Sequence, residues 1–214
     1  MNINACIFDF DGTLVDTLYY HYESLNYVLS RHGGDLTYDD YIYKYNGQKA
    51  QTVMLELFPG TDSATLSGYL QEKTNRYHTL IENYGITPLD GVIDFLEYLH
   101  KNCIKCGIAS SSRSAKFVAE KSGIAQYMQV TVTGNDIKNS KPDPEIFLLA
   151  ADRLGVSYQN CVVFEDASSG IKGAKNAGMY TVGLQRSNDT GVESADIVVY
   201  SLSDYQYIVN YFHL

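Results

Sequence analysis

Cysteine is scarce in this chain, with four scattered among 214 residues. Cys103 and Cys106 have CxxC spacing, but no second pair completes a zinc site. They flank an apolar, strand-like run and read as small core residues, which suits a reducing cytosol. Basic residues are a minority: 16 Lys and Arg stand against 25 Asp and Glu, a formal net charge of −9. This balance argues against nucleic acid and anionic membranes as partners. No apolar run approaches the ~18 residues of a membrane helix. The N-terminus has no basic start, and Asp9 interrupts its apolar run. That reads against a signal peptide and for a cytoplasmic protein. Internal repeats and low-complexity tracts are lacking as well. The 45% hydrophobic composition is enough for one large core, or for a core with a small second domain.

The most informative stretch is Ile7-Phe8-Asp9-Phe10-Asp11-Gly12-Thr13-Leu14. The apolar run from Ala5 to Phe8 reads as a short buried strand, and two acids follow it. Side chains alternate along extended backbone, so Asp9 and Asp11 would share a face. Gly12 then allows a turn closed to most residues. Two carboxylates at a buried strand end repel one another, and a hard divalent cation such as magnesium relieves that repulsion. A calcium loop starting at Asp9 fits poorly, because Leu14 occupies the glycine position and Tyr20 the glutamate position.

Residues 17–83 read as helices only. Segments 17–32, 48–58 and 63–83 carry helical patterns, and a polar, tyrosine-rich stretch follows Thr37. After Gly85 and Pro88 the texture changes. Strands at 104–109, 129–133, 161–164, 180–184 and 197–200 alternate with helices, which implies a parallel sheet covered on both faces. The expected fold class is α/β, a Rossmann-like parallel sheet core (1–16 and 84–214) with an inserted α-helical cap (17–83). Ligands of such sheets bind at the carboxyl ends of the strands.

Three further segments end at that edge. Ser110 follows the strand 104–109, its hydroxyl able to donate to a phosphate oxygen, and Ser112 is the expected cap of the next helix. Lys141 follows the strand 129–133 in a loop stiffened by Pro142 and Pro144. Glu165 and Asp166 follow the strand 161–164 and repeat the paired-acid pattern. A bland reading exists for each: a cap, a solvated charge, an acid-rich helix start. Four of them in this order, each at a strand end, point to phosphoryl chemistry.

These residues resemble the four motifs of the haloacid dehalogenase-like (HAD) hydrolase superfamily: Asp9 to Thr13, Ser110, Lys141, and Glu165 with Asp166. The resemblance covers essentially the whole chain, including the helical insertion and the glycine-rich run from Gly170 to Gly178. Within the superfamily the chain is similar to the β-phosphoglucomutase-like phosphatases. Asp16-Thr17 followed by His21 resembles that group's passage into the cap, and Ser110-Ser111-Ser112-Arg113 resembles its serine-rich second motif. Lys73 resembles a cap lysine on the substrate side. Thr13 is the general phosphatase form rather than the mutase one. The mutases' cap arginine has no clear match; Lys49 lies near its place, and a lysine cannot reproduce a bidentate guanidinium grip.

The resemblance implies a magnesium-dependent phosphatase acting on a small phosphorylated metabolite, a sugar phosphate first of all. Asp9 is the implied nucleophile, Asp11 the acid–base group, and Ser110 and Lys141 the partners of the transferring phosphoryl group. Gly12, Thr13, Ser111, His21, Lys49 and Lys73 are the implied substrate contacts. Asp9, the Asp11 carbonyl, Glu165 and Asp166 are the implied magnesium ligands. A monomer or weak homodimer is expected. The alternatives are a β-phosphoglucomutase and, from another class, a phospho-accepting regulator of the receiver type. The second carboxylate, Asp11, and the helical insertion argue against the regulator.

Overall fold

The computed structural model describes residues 2–45, 48–186 and 191–214. The chain divides into two compact units, one formed by Met1–Asp16 with Thr87–Leu214, the other by Thr17–Ile86.

The first unit is an α/β fold. Strand β1 (Ala5–Phe8) opens it, and after the helical unit the chain continues as α5 (Val92–Lys101), numbered to follow the four helices given below. Then come β2 (Lys105–Ala109), α6 (Ala115–Lys121), β3 (Val130–Val132), α7 (Glu145–Leu154), β4 (Cys161–Glu165), α8 (Ser168–Asn176), β5 (Tyr180–Leu184), β6 (Ile197–Val199) and α9 (Tyr205–Phe212). The six strands form one parallel sheet in the order β3-β2-β1-β4-β5-β6. The apolar runs in β1 and β4 have a simple cause: helices cover both faces, so both sets of alternating side chains are buried. On one face Ala5, Ile7 and Val163 pack with Ile146, Phe147 and Ala150 of α7. Elsewhere in this core Phe8 stacks on Phe164 at 4.6 Å and meets Phe95 of α5 edge-on at 6.1 Å. Each fully buried ring contributes about 1.5–3 kcal/mol relative to exposure. The direction of strand addition reverses at β1 and β4, which places a crevice beyond their carboxyl ends.

The segments flanking the insertion lie side by side, because the Leu89 N–H donates to the Leu14 carbonyl at 2.9 Å. The second unit is helical: α1 (Leu18–Arg31), α2 (Tyr38–Lys44), α3 (Ala50–Leu57) and α4 (Ser63–Tyr84). Its core joins Leu25, Val28 and Leu29 of α1 with Val53, Met54 and Leu66. Asp62 caps α4 by accepting from the Ala64 and Thr65 N–H groups. No helix among the described residues is long and apolar enough to cross a membrane.

One stretch gains its helix, and two local expectations are corrected. The tyrosine-rich stretch after Thr37 is the helix α2, started by the Thr37 hydroxyl, which accepts from the Asp40 N–H at 3.1 Å. Ser112 does not cap α6 directly; its hydroxyl accepts from the Ser114 N–H at 3.3 Å, and the helix begins at Ala115. Cys106 is buried as expected, but Cys103 is exposed, in the turn after α5 with φ +59. The chain leaves the helix there in a left-handed conformation that turns this side chain out.

Candidate active site

The site grows from the register of β1 and β4. Phe8 pairs with Phe164, and the Asp9 N–H continues the ladder to the Phe164 carbonyl at 2.9 Å. Asp9 therefore comes alongside Glu165. Both are buried, at 9% and 1% exposure. Two buried carboxylates need a cation, and Lys141 supplies one. Its Nζ lies 2.5 Å from Asp9 Oδ1, 2.5 Å from Glu165 Oε1 and 3.0 Å from the Ala109 carbonyl. The three N–H donors of the ammonium thus meet three acceptors, one from each of β1, β4 and β2 or their ends.

Asp166 adds a third acid. Carboxylate oxygens of Asp9, Glu165 and Asp166 all lie within 4.8 Å of one another. Three acids around one lysine leave an excess of two negative charges if all ionise. The shifts follow from that crowding. Burial drives Asp9 well above the ordinary carboxylate range; Lys141 opposes the rise, and Glu165, Asp166 and Asp11 add to it. Burial also lifts Asp166, helped by Glu165, to about 7. Burial would lower Lys141, but Asp9 and Glu165 outweigh it and hold the amine charged. An all-oxygen, acid-rich donor set of this kind fits a hard divalent cation.

The turn after Asp9 is tight. The Phe10 carbonyl accepts from the Leu14 N–H at 2.9 Å, and the Gly12 N–H donates to the Val15 carbonyl at 2.8 Å. Gly12 has φ +87, and a Cβ there would stand 2.0 Å from Asp166 Oδ2. Only glycine satisfies both demands. Asp11 lies outside the acid trio, and its Oδ2 accepts from the Ser110 hydroxyl at 3.3 Å. Ser110 is buried beyond β2, and its Oγ accepts from the Ser112 N–H at 3.0 Å. Thr13 is fully buried, and its hydroxyl has no hydrogen-bond partner among the described residues.

The structure thus gathers Asp9, Lys141, Glu165 and Asp166, with Gly12 against Asp166 and Ser110 against Asp11. Ser111 and Arg113 are exposed. The other predicted residues belong to the helical unit. There Lys73 Nζ lies 3.3 Å from His21 Nδ1, and His21 stacks on Tyr77 at 4.5 Å. Lys49 is exposed just before α3. Two further features of the first unit bear on the site, and the first escapes sequence reasoning. Arg186 Nη1 donates to the Gly12 carbonyl at 3.3 Å, and no motif marks this arginine. Gly170 covers the Glu165 carboxylate so closely that a Cβ would fall 1.9 Å from Glu165 Cδ. The glycine-rich run after the paired acids was a visible signal of close helix packing for the second.

Comparison with known proteins agrees with this arrangement. Residues 6–184 match the family model described as haloacid dehalogenase-like hydrolase. A beta-phosphoglucomutase of Bacillus subtilis is 32% identical, over 94% of this chain and 91% of that protein. Hexitol phosphatase A of Escherichia coli is also 32% identical, over 94% of this chain and 93% of that protein. A crystal structure of beta-phosphoglucomutase from Clostridium difficile superposes with a TM-score of 0.87 at 31% identity, covering 99% of this chain and 97% of that one. Sheet order, inserted helices and relatives converge: this chain belongs to the haloacid dehalogenase-like hydrolases, in their beta-phosphoglucomutase-like branch, and is an enzyme of the phosphatase or phosphomutase kind.

Proposed function

We propose that the protein is a magnesium-dependent phosphatase that hydrolyses a small sugar phosphate through a phosphorylated Asp9. The observation that carries this reading is the position of Lys141, bridging Asp9 and Glu165 beside Asp166. An isolated buried pair has no use for a third acid. A phosphoryl site does, because it must hold a metal and still keep its nucleophile ionised.

Lys141 holds Oδ1 of Asp9, and we assign attack on phosphorus to the other oxygen, Oδ2. The new bond joins Asp9 to phosphorus, and the bond from phosphorus to the sugar oxygen breaks. Asp11 gives its proton to that oxygen. It then takes a proton from water, whose oxygen attacks phosphorus and releases Asp9 and inorganic phosphate. Ser110 orients Asp11 by donating to Oδ2. Asp9, the Asp11 carbonyl and Asp166 would hold the magnesium ion, with Glu165 at or behind it. Bound there, the ion would offset the repulsion between nucleophile and phosphate. Lys141 would stabilise the transferring oxygens. The helical unit acts as a cap in this reading, and the stacked group of Lys73, His21 and Tyr77 is our candidate for recognising the sugar.

The relatives named as mutases favour a second reading, β-phosphoglucomutase. Against it, the mutases' guanidinium fork has no clear match here; Lys49, near its place in the sequence, offers only a point charge. The deciding assay uses magnesium and β-glucose 1-phosphate, with and without glucose 1,6-bisphosphate. Free phosphate without isomerisation supports the phosphatase. Glucose 6-phosphate with little free phosphate establishes the mutase. A stable phospho-Asp9 without turnover on any sugar phosphate would favour the regulator instead.

A further inference from the structure

Helix α8 follows the paired acids directly and carries the glycine-rich run. Residues 170, 173 and 176 are spaced by three and so line one face of it. Gly170 lies over the Glu165 carboxylate, which accepts from Lys141. Gly173 lies against the loop that bears Lys141: a Cβ there would be 3.5 Å from the Asp143 carbonyl oxygen and from the Pro142 carbonyl carbon. Asn176 Nδ2 donates to the Pro142 carbonyl at 3.1 Å. One helix face therefore touches both the acceptor of the lysine and the main chain next to the lysine.

We propose that Asn176 is a positioning residue for Lys141, fixing the main chain one residue beyond the lysine whose ammonium reaches Asp9, Glu165 and the Ala109 carbonyl. The inference rests on the role given to Lys141 in the proposed reaction. Its physical basis is the length of the lysine stem. Three acceptors fix only the far end of a flexible side chain, and the near end leaves from a loop of neither helix nor strand. That loop is tied elsewhere by its own residues. The Asp136 carboxylate accepts from the Thr133 N–H and hydroxyl, and Glu145 accepts from the N–H groups of Lys138 and Asn139. At Pro142 the tie comes from α8. It joins the strand-end acid Glu165 and the loop of Lys141 to a single rigid element, so the two charges keep their spacing when substrate binds.

Asn176 is exposed, so replacing it leaves the core intact. The informative variant is Asn176→Asp, which keeps the shape and removes the donor; Asn176→Ala removes both. The substrate is whichever sugar phosphate the wild type hydrolyses with magnesium. Both variants should lower kcat by about tenfold to a hundredfold, the range expected when a catalytic group is misplaced by an ångström or less. KM and melting temperature should stay near wild type. In a Lys141→Ala background, followed by single turnover at high enzyme concentration, Asn176→Ala should cost nothing further, because the group it positions is gone. Wild-type kcat in Asn176→Asp overturns the inference and leaves the functional reading intact. An equal loss in the Lys141→Ala background also overturns it, since the residue then acts on the fold at large. No wild-type turnover on any sugar phosphate overturns the functional reading and this inference together.

Discussion

Gly170 and Glu165 approach so closely that a Cβ on the glycine would stand 1.9 Å from the Glu165 carboxylate. A helix can lie this near a strand-end carboxylate only where it presents no side chain. Gly170→Ala must therefore move Glu165 or the first turn of α8. Because Glu165 is buried and hydrogen-bonded to Lys141, the strain reaches the site. We expect a loss of about 1–3 kcal/mol in stability, the usual cost of overpacking, together with weaker magnesium binding. Urea unfolding and metal titration read the two effects separately. An alanine variant with wild-type values for both would show that α8 can shift without disturbing Glu165.

Lys141 carries a larger electrostatic weight. Its side chain is 8% exposed and bridges two acids in the absence of metal. Lys141→Ala leaves those acids unpaired, and the metal-free protein should lose about 3–5 kcal/mol, the penalty for breaking a buried ion pair from one side. Removing one acid as well, in Lys141→Ala/Glu165→Gln, should recover part of that loss, because fewer charges remain to be compensated. Urea midpoints of the two variants in chelator decide the matter. If the double variant is no more stable than the single one, the loss comes from packing rather than charge.

Magnesium should stabilise the protein more as pH rises. The Asp166 carboxyl is pushed up to about 7, by burial first and then by Glu165. In the unfolded chain the same carboxyl titrates near its ordinary value, about 4. Between those values the folded, metal-free protein binds the extra proton. The stability this contributes is complete below about pH 4 and is lost as pH rises through about 7. Metal binding requires the ionised form and so competes with that proton. The magnesium-induced rise in melting temperature should be small near pH 5.5 and grow through about pH 7. Asp166→Asn should weaken the dependence, and the raised carboxyl of Asp9 supplies what remains. A shift equal at both ends of the range in the wild type would remove Asp166 from the ligand set.

Much of the α/β fold was legible because each interior strand is a short apolar run with an abrupt end. The runs Ala5 to Phe8 and Cys161 to Phe164 announce burial on two faces, and the polar residues after them mark the carboxyl edge. The same punctuation drew attention to Asp9, Lys141 and Asp166. The bounds of α2 were not legible, because tyrosines on several sides blur the period of a helix that Thr37 and Asp40 start. Cys103 and Cys106 share a motif yet part company, since a left-handed turn separates an exposed thiol from a strand. Arg186 and Asn176 matter through approaches across the fold that leave no local pattern to read, whereas the glycine-rich run after the paired acids marked the close packing at Gly170.

Asp11→Asn tests the division of labour between the two acids of the first turn. Asparagine keeps an oxygen that can accept from the Ser110 hydroxyl, so the turn should hold its shape. It can neither give nor take a proton. With a sugar phosphate, whose leaving oxygen needs protonation, turnover should fall by about 10²–10⁴-fold. With p-nitrophenyl phosphate the leaving group departs without a proton, and attack by Asp9 should proceed. The second half-reaction still needs a base for water, so the phosphorylated enzyme should accumulate and be visible by intact mass after an acid quench. Unphosphorylated variant with both substrates would mean that Asp11 is needed before the chemical step. Near-wild-type turnover of the sugar phosphate would move the acid–base role to another group.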